Sequence, residues 1–90
     1  MQKHISIVVS GRVQGVYYRV SAQEAGEKLG LKGFVRNLPD GSVYIEAEGD
    51  EKALSEFVAW CEKGPVRARV TDVDVQDGTW QGFTDFVVKR

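Results

Sequence analysis

Between His4 and Ser10 apolar and polar positions alternate, with Ile5, Ile7 and Val9 on one face and Val8 adding a β-branched residue to the other. A period of two carried by β-branched side chains predicts a strand, here one in the sheet interior. The alternation stops at Gly11, and residues 11–18, which contain two glycines, read as a loop. From about Val20 to Leu29 the period lengthens: Ala22, Ala25 and Leu29 share one stripe of a helix. Ser21 and Glu24 have the spacing of a capping box, and Gly30 suits the position just past the helix end.

Leu31 to Asn37 reads as a second strand, and Leu38-Pro39-Asp40-Gly41 as a turn, with Pro presetting φ and Gly free to take a positive one. Val43, Ile45 and Ala47 then alternate with Tyr44, Glu46 and Glu48, so a third strand pairs antiparallel with the second. Asp50 and Glu51 open a second helix with the negative charge its N-terminus favours. Its apolar face comprises Ala53, Leu54, Phe57, Val58 and Cys61, and Gly64-Pro65 ends it. Val66 to Gln76 is a fourth strand whose inward set slips between Val70 and the Val73/Val75 pair, implying a bulge near Thr71-Asp72. A short strand from Phe83 to Val88 closes the chain. The order β-α-β-β-α-β plus a terminal strand predicts an α+β, ferredoxin-like sandwich. Each helix has one apolar stripe, so both must cover one face of an antiparallel sheet.

Composition narrows the function classes. Ninety residues, 42 % of them hydrophobic, suit one domain over residues 1–90 with one core. Twelve basic against thirteen acidic residues leave a net charge of −1, unlike a general nucleic-acid binder. Cys61 has no second cysteine to pair with, and with His4 it offers too few ligands for zinc or a metallochaperone site. A lone thiol points to a reducing compartment. The longest apolar run, Phe57 to Cys61, is far short of the ~20 residues of a membrane span, and the first residues contain no signal-peptide core. The expectation is a monomeric cytoplasmic domain without cofactor or metal, and with neither a nucleic acid nor a membrane as partner.

The chemistry concentrates in Gly11-Arg12-Val13-Gln14-Gly15-Val16-Tyr17-Tyr18-Arg19, between a strand end and a helix start. There backbone N–H groups lack intrahelical partners and the helix dipole is positive, which favours an anion. Glycines 11 and 15 let successive N–H groups converge into a nest. The Arg19 fork can hold two phosphate oxygens at once. By spacing alone a glycine-containing turn with a surface arginine fits equally well. A nucleotide P-loop fits poorly, because Val16 and Tyr17 follow Gly15 where Lys and Ser or Thr are needed.

Residues 11–19 resemble the signature loop of the acylphosphatases, Gly-x-Val-Gln-Gly-Val-x-Phe-Arg, with Tyr18 where Phe is usual. Gly33-Phe34-Val35-Arg36-Asn37-Leu38-Pro39-Asp40-Gly41-Ser42-Val43, closing at Gly49, resembles that family's second signature. The resemblance spans essentially the whole chain. It implies a ferredoxin-like sandwich and metal-independent hydrolysis of carboxyl–phosphate anhydrides by water. It further implies a phosphate-binding loop of Gln14, Gly15, Val16, Tyr17, Tyr18 and Arg19, with Arg19 and Asn37 as the catalytic pair. In that pair Arg19 binds the phosphate and Asn37 positions the water.

Other readings compete for the same residues. An Asn before a Pro-Asp-Gly turn is ordinarily a turn residue, and Gln14 can brace the loop as well as touch an anion. Arg12 and Arg36 read as solvated charges adding modest anion attraction. His4 reads as a strand-face residue, Cys61 as core, and Trp60 and Trp80 as packing or rim aromatics. The alternative function is a non-catalytic anion- or RNA-binding ferredoxin-like module. Lys32-Gly33-Phe34 echoes an RNA-binding strand, but Val35-Arg36-Asn37 supply no further aromatics and Glu46 and Glu48 are acidic.

Overall fold

The computed structural model of the chain describes residues 1–89. The elements run β1 (Gln2–Arg12), α1 (Tyr18–Lys28), β2 (Lys32–Asn37), β3 (Val43–Asp50), α2 (Glu51–Lys63), β4 (Arg69–Asp77) and β5 (Phe86–Val88). The strands form one sheet in the order β4-β1-β3-β2-β5. β1 lies between β3 and β4, which is why its ladder runs beyond the apolar stretch at both ends, from Gln2 opposite Asp50 to Arg12 opposite Arg69. The ferredoxin-like order of the first six elements is as the pattern predicts. The sheet, however, is mixed rather than wholly antiparallel, because β5 pairs parallel to β2, Gly33 facing Phe86 and Val35 facing Val88.

Cross-strand register separates the two faces. Ile5, Ile7 and Val9 pair with Ala47, Ile45 and Val43, and all six are buried on the face carrying the helices. α1 packs on β2 and β5, and α2 on β1, β3 and β4. Phe57 of α2 and Phe86 of β5 meet edge-on at 5.8 Å between ring centroids, joining the two halves of the core. No helix among the described residues is long and apolar enough to cross a membrane.

Besides the longer β1, four elements begin elsewhere than the sequence reading places them, each for a local reason. α1 begins at Tyr18, and no side chain caps it, so the Ser21–Glu24 box is not used; Tyr17, in the left-handed region at φ 64°, turns the chain into the helix earlier. β2 begins at Lys32 because Leu31 N–H closes α1 onto Gly26 O at 2.9 Å, with Gly30 at φ 75° as the stop expected there. β4 begins at Arg69 because residues 65–68 form a turn closed by Ala68 N–H to Pro65 O. β5 begins only at Phe86, because the N–H groups of Gln81, Gly82 and Phe83 are spent on the Glu48 carboxylate. The expected bulge is present: Ser10 faces Asp72 while Gly11 faces Val70, leaving Thr71 over.

The segment between β4 and β5 therefore crosses the sheet face opposite the helices, pinned to Glu48. Glu48 is 1 % exposed, and His4, read from sequence as a plain strand-face residue, is buried beside it with Nδ1 2.7 Å from Glu48 Oε2. The other ring nitrogen of His4 lies 3.1 Å from Glu46 Oε1. Burial alone would raise the Glu48 carboxyl, but the backbone donors and His4 outweigh it and hold the group below the usual carboxylate range. Such a group lends stability at pH values above its unfolded-state pKa, about 4.3, and gives it up as the pH falls through the lower folded-state value. Denaturant unfolding across acid pH should show this loss for the native chain. Glu48→Gln should cost about 1–3 kcal/mol at neutral pH and flatten the acid limb; an unchanged acid limb would assign the loss to other carboxyls.

Candidate active site

Val13 and Val16 are buried and anchor the loop after β1, so Gly15 and Tyr17 are thrown outward. Both take left-handed backbone, φ 74° and 64°. For Tyr17 that conformation costs roughly 1–2 kcal/mol, a strain of the kind found where a loop is shaped for a ligand. The turn leads straight into α1, where Ser21 is the first N–H with a backbone acceptor, Tyr17 O at 3.1 Å. The N–H groups of Tyr18, Arg19 and Val20 thus lie at the positive end of the helix without intrahelical partners.

A concavity of about 420 Å³ opens over this loop, lined by Val13, Gly15, Tyr17, Tyr18, Arg19, Val20, Asn37 and Val88. Arg19 is half-buried and donates from Nη1 to Lys89 O at 2.8 Å, which fixes one edge of the guanidinium and leaves the others for an anion. Lys89 N–H in turn bonds Val35 O at 2.8 Å, two residues before Asn37 on β2. Asn37 Oδ1 is buried and has no hydrogen-bond partner among the described residues. An unmet buried acceptor costs about 1–3 kcal/mol, so a donor from a bound molecule is the natural complement.

The structure thus brings Gly15, Tyr17, Tyr18, Arg19 and Asn37 of the expected residues to one concavity, and leaves Gln14 and Val16 out of its lining. The Gln14 amide donates to Leu38 O and Ser42 O, both at 2.8 Å. Its two N–H groups are thereby used up, and it clamps the loop to the β2–β3 turn instead of facing an anion. Asp40 stiffens that turn by accepting from Ser42 N–H and Oγ–H, which hold its carboxyl below the usual range. The Tyr18 ring is core, and only its backbone can serve the loop. Its hydroxyl, pushed up by burial, donates to Cys61 O at 2.7 Å. That carbonyl belongs to the last turn of α2, where carbonyls lack helical partners, so the extra oxygen at position 18 is satisfied. Burial pushes the Cys61 thiol up to about 12. The Lys89 carbonyl and the Val20 and Val88 walls carry no sequence signal: the first is backbone, and the last arrives through the parallel pairing of β5.

The family model for acylphosphatases matches residues 5–88. The chain is 51 % identical over 89 residues to an acylphosphatase of Methylococcus capsulatus, covering 98 % of this chain and 97 % of the relative. It superposes on an acylphosphatase crystal structure from Bacillus subtilis with a TM-score of 0.95 and 38 % identity, each chain covered completely. An acylphosphatase from Coxiella burnetii gives the same TM-score at 34 % identity, with 98 % of this chain and 93 % of the other covered.

The two bracing side chains separate by experiment. Tyr18→Phe should cost about 1 kcal/mol of stability and leave binding of inorganic phosphate unchanged, whereas Gln14→Ala should weaken that binding several-fold. Equal phosphate affinity in both variants would show that the clamp does not shape the loop.

Proposed function

The chain belongs to the acylphosphatase family and is an enzyme of acyl phosphate hydrolysis, and we propose that Arg19 grips the phosphoryl group while Asn37 holds the water that attacks it. The observation that carries this reading is that Arg19, its guanidinium fixed by Lys89 O, and Asn37, whose Oδ1 has no partner among the described residues, line one concavity.

The demands of the reaction match what these residues can do. The leaving carboxylate has a conjugate-acid pKa of about 4, so its departure needs no strong general acid. Water can attack phosphorus directly, so no protein nucleophile is required either. What remains is to hold phosphorus and water in line and to stabilise charge on the equatorial oxygens. In this reading the free N–H groups of the loop and the unbonded edges of Arg19 donate to those oxygens. The Asn37 carboxamide accepts an O–H of the water through Oδ1, which orients a lone pair toward phosphorus. A phosphate oxygen of the substrate takes the water's proton, leaving carboxylate and inorganic phosphate as products. No step draws on a metal or cofactor.

One chain supplies every residue of the proposed site. We take the working unit to be a monomer spanning residues 1–90. A cytoplasmic setting accords with Cys61 being a free thiol. The RNA-binding alternative loses its surface: the sheet face that such modules use for stacking bases is crossed here by the segment held on Glu48, with the Phe83 ring edge-on to Phe34 at 5.8 Å.

Arg19→Lys keeps the charge and loses the fork, and should lower turnover by about 10²–10³ and weaken inhibition by inorganic phosphate. Asn37→Ala should lose turnover to a similar extent while phosphate inhibition persists; if inhibition vanished instead, Asn37 would be a binder. For the native enzyme, acetyl phosphate should be hydrolysed far faster than a phosphate monoester or ATP, with no effect of a chelator. Comparable rates on all three, or a sharp loss with chelator, would contradict the mechanism.

A further inference from the structure

Behind the phosphoryl loop lies a second concavity of about 470 Å³, lined by Arg12, Gly15, Val16, Val66, Arg67 and Arg69. Gly15 lines both concavities, so the loop is their shared wall. Three of the twelve basic residues of a chain with net charge −1 converge here. All three are exposed, and none makes an ion pair or a side-chain hydrogen bond among the described residues.

The backbone assembles this cluster against the electrostatic preference of the sheet. Arg12 and Arg69 are direct partners across β1 and β4, and like charges so placed destabilise a ladder. They face each other because the bulge at Thr71 shifts the register after Ser10. An added Cβ at Gly11 would collide with Arg69 O, so only glycine admits the approach. Bulges of this kind re-aim side chains beside active sites. The turn before β4 adds Arg67, and Val66 stands fully exposed at the rim, an apolar contact for a methylene chain.

We propose that Arg12, Arg67 and Arg69 form a second anion site, next to the phosphoryl site, that takes a phosphate or carboxylate group. A guanidinium trio binds such oxygens through charge-assisted hydrogen bonds, and an anion there relieves the Arg12–Arg69 repulsion. Its position places the site to receive a distal anionic group on the acyl part of a substrate. That use rests on the catalytic reading above, whereas capture of a free anion does not.

The test titrates inorganic phosphate into the protein and follows backbone amide resonances. Two sets should move, one in residues 15–20 and one in residues 66–69. The Arg12→Gln/Arg67→Gln/Arg69→Gln variant, altered only at exposed positions, should lose the second set and keep the first; Arg19→Lys should weaken the first and keep the second. Loss of the first set alone in the native protein would count against the Arg19 reading and leave this site standing. An unmoved 66–69 set, or one that survives in the triple variant, would overturn the proposal. Kinetics identify the source of the anion. If it is the substrate, the triple variant should lose about tenfold in kcat/KM, through KM, on monoacyl phosphates of dicarboxylic acids, and under twofold on acetyl phosphate. Parallel losses on both would reduce the cluster to long-range attraction and overturn the substrate as source.

Discussion

One hydrogen bond, from the Arg19 guanidinium to the Lys89 carbonyl, sets the geometry on which the site depends. A free arginine on a helix end has many rotamers, and ordering them at each turnover would cost part of the binding energy. Here the fork is already held on one edge, and the residue that holds it is itself bonded to Val35 on the strand that ends in Asn37. The guanidinium proposed to grip the phosphate and the carboxamide proposed to hold the water are therefore referred to the same strand. Gln14 repeats the tie on the other side, fastening the loop to the carbonyls just beyond Asn37.

This arrangement needs the whole topology. β5 reaches Arg19 only because the chain crosses the sheet from the β4 edge to the β2 edge, and that crossing is pinned by the buried carboxylate of Glu48. A charge almost wholly removed from water is costly unless it is well bonded, and three backbone N–H groups with His4 provide the bonding. The geometry of the proposed site thus rests on an anchor on the sheet face opposite the helices.

Much of this was legible from residue types, because strands with β-branched alternation and a helix with five apolar residues at helical spacing allow few other structures. The Thr71 bulge was readable too, as a slip in the inward set. Arg19 and Asn37 stood out through two long motifs, and the structure sets them along one concavity. What escaped depends on contacts between segments distant in sequence. Ser21 and Glu24 have the capping spacing, but a left-handed Tyr17 starts the helix before them. The Phe83 segment has strand character, yet its N–H groups go to Glu48. By residue type Gln14 is equally able to bind or to brace, and only the positions of Leu38 and Ser42 decide between the two. A backbone carbonyl such as that of Lys89 has no signature at all.

If a water held by Asn37 attacks phosphorus, the P–O bond breaks and the carbonyl carbon is never touched. Hydrolysis of acetyl phosphate in water enriched in heavy oxygen, with mass analysis of both products, reads this directly. The label should enter inorganic phosphate alone and leave acetate unlabelled. Heavy oxygen in the acetate would mean attack at carbon, for which neither the loop nor Asn37 is built.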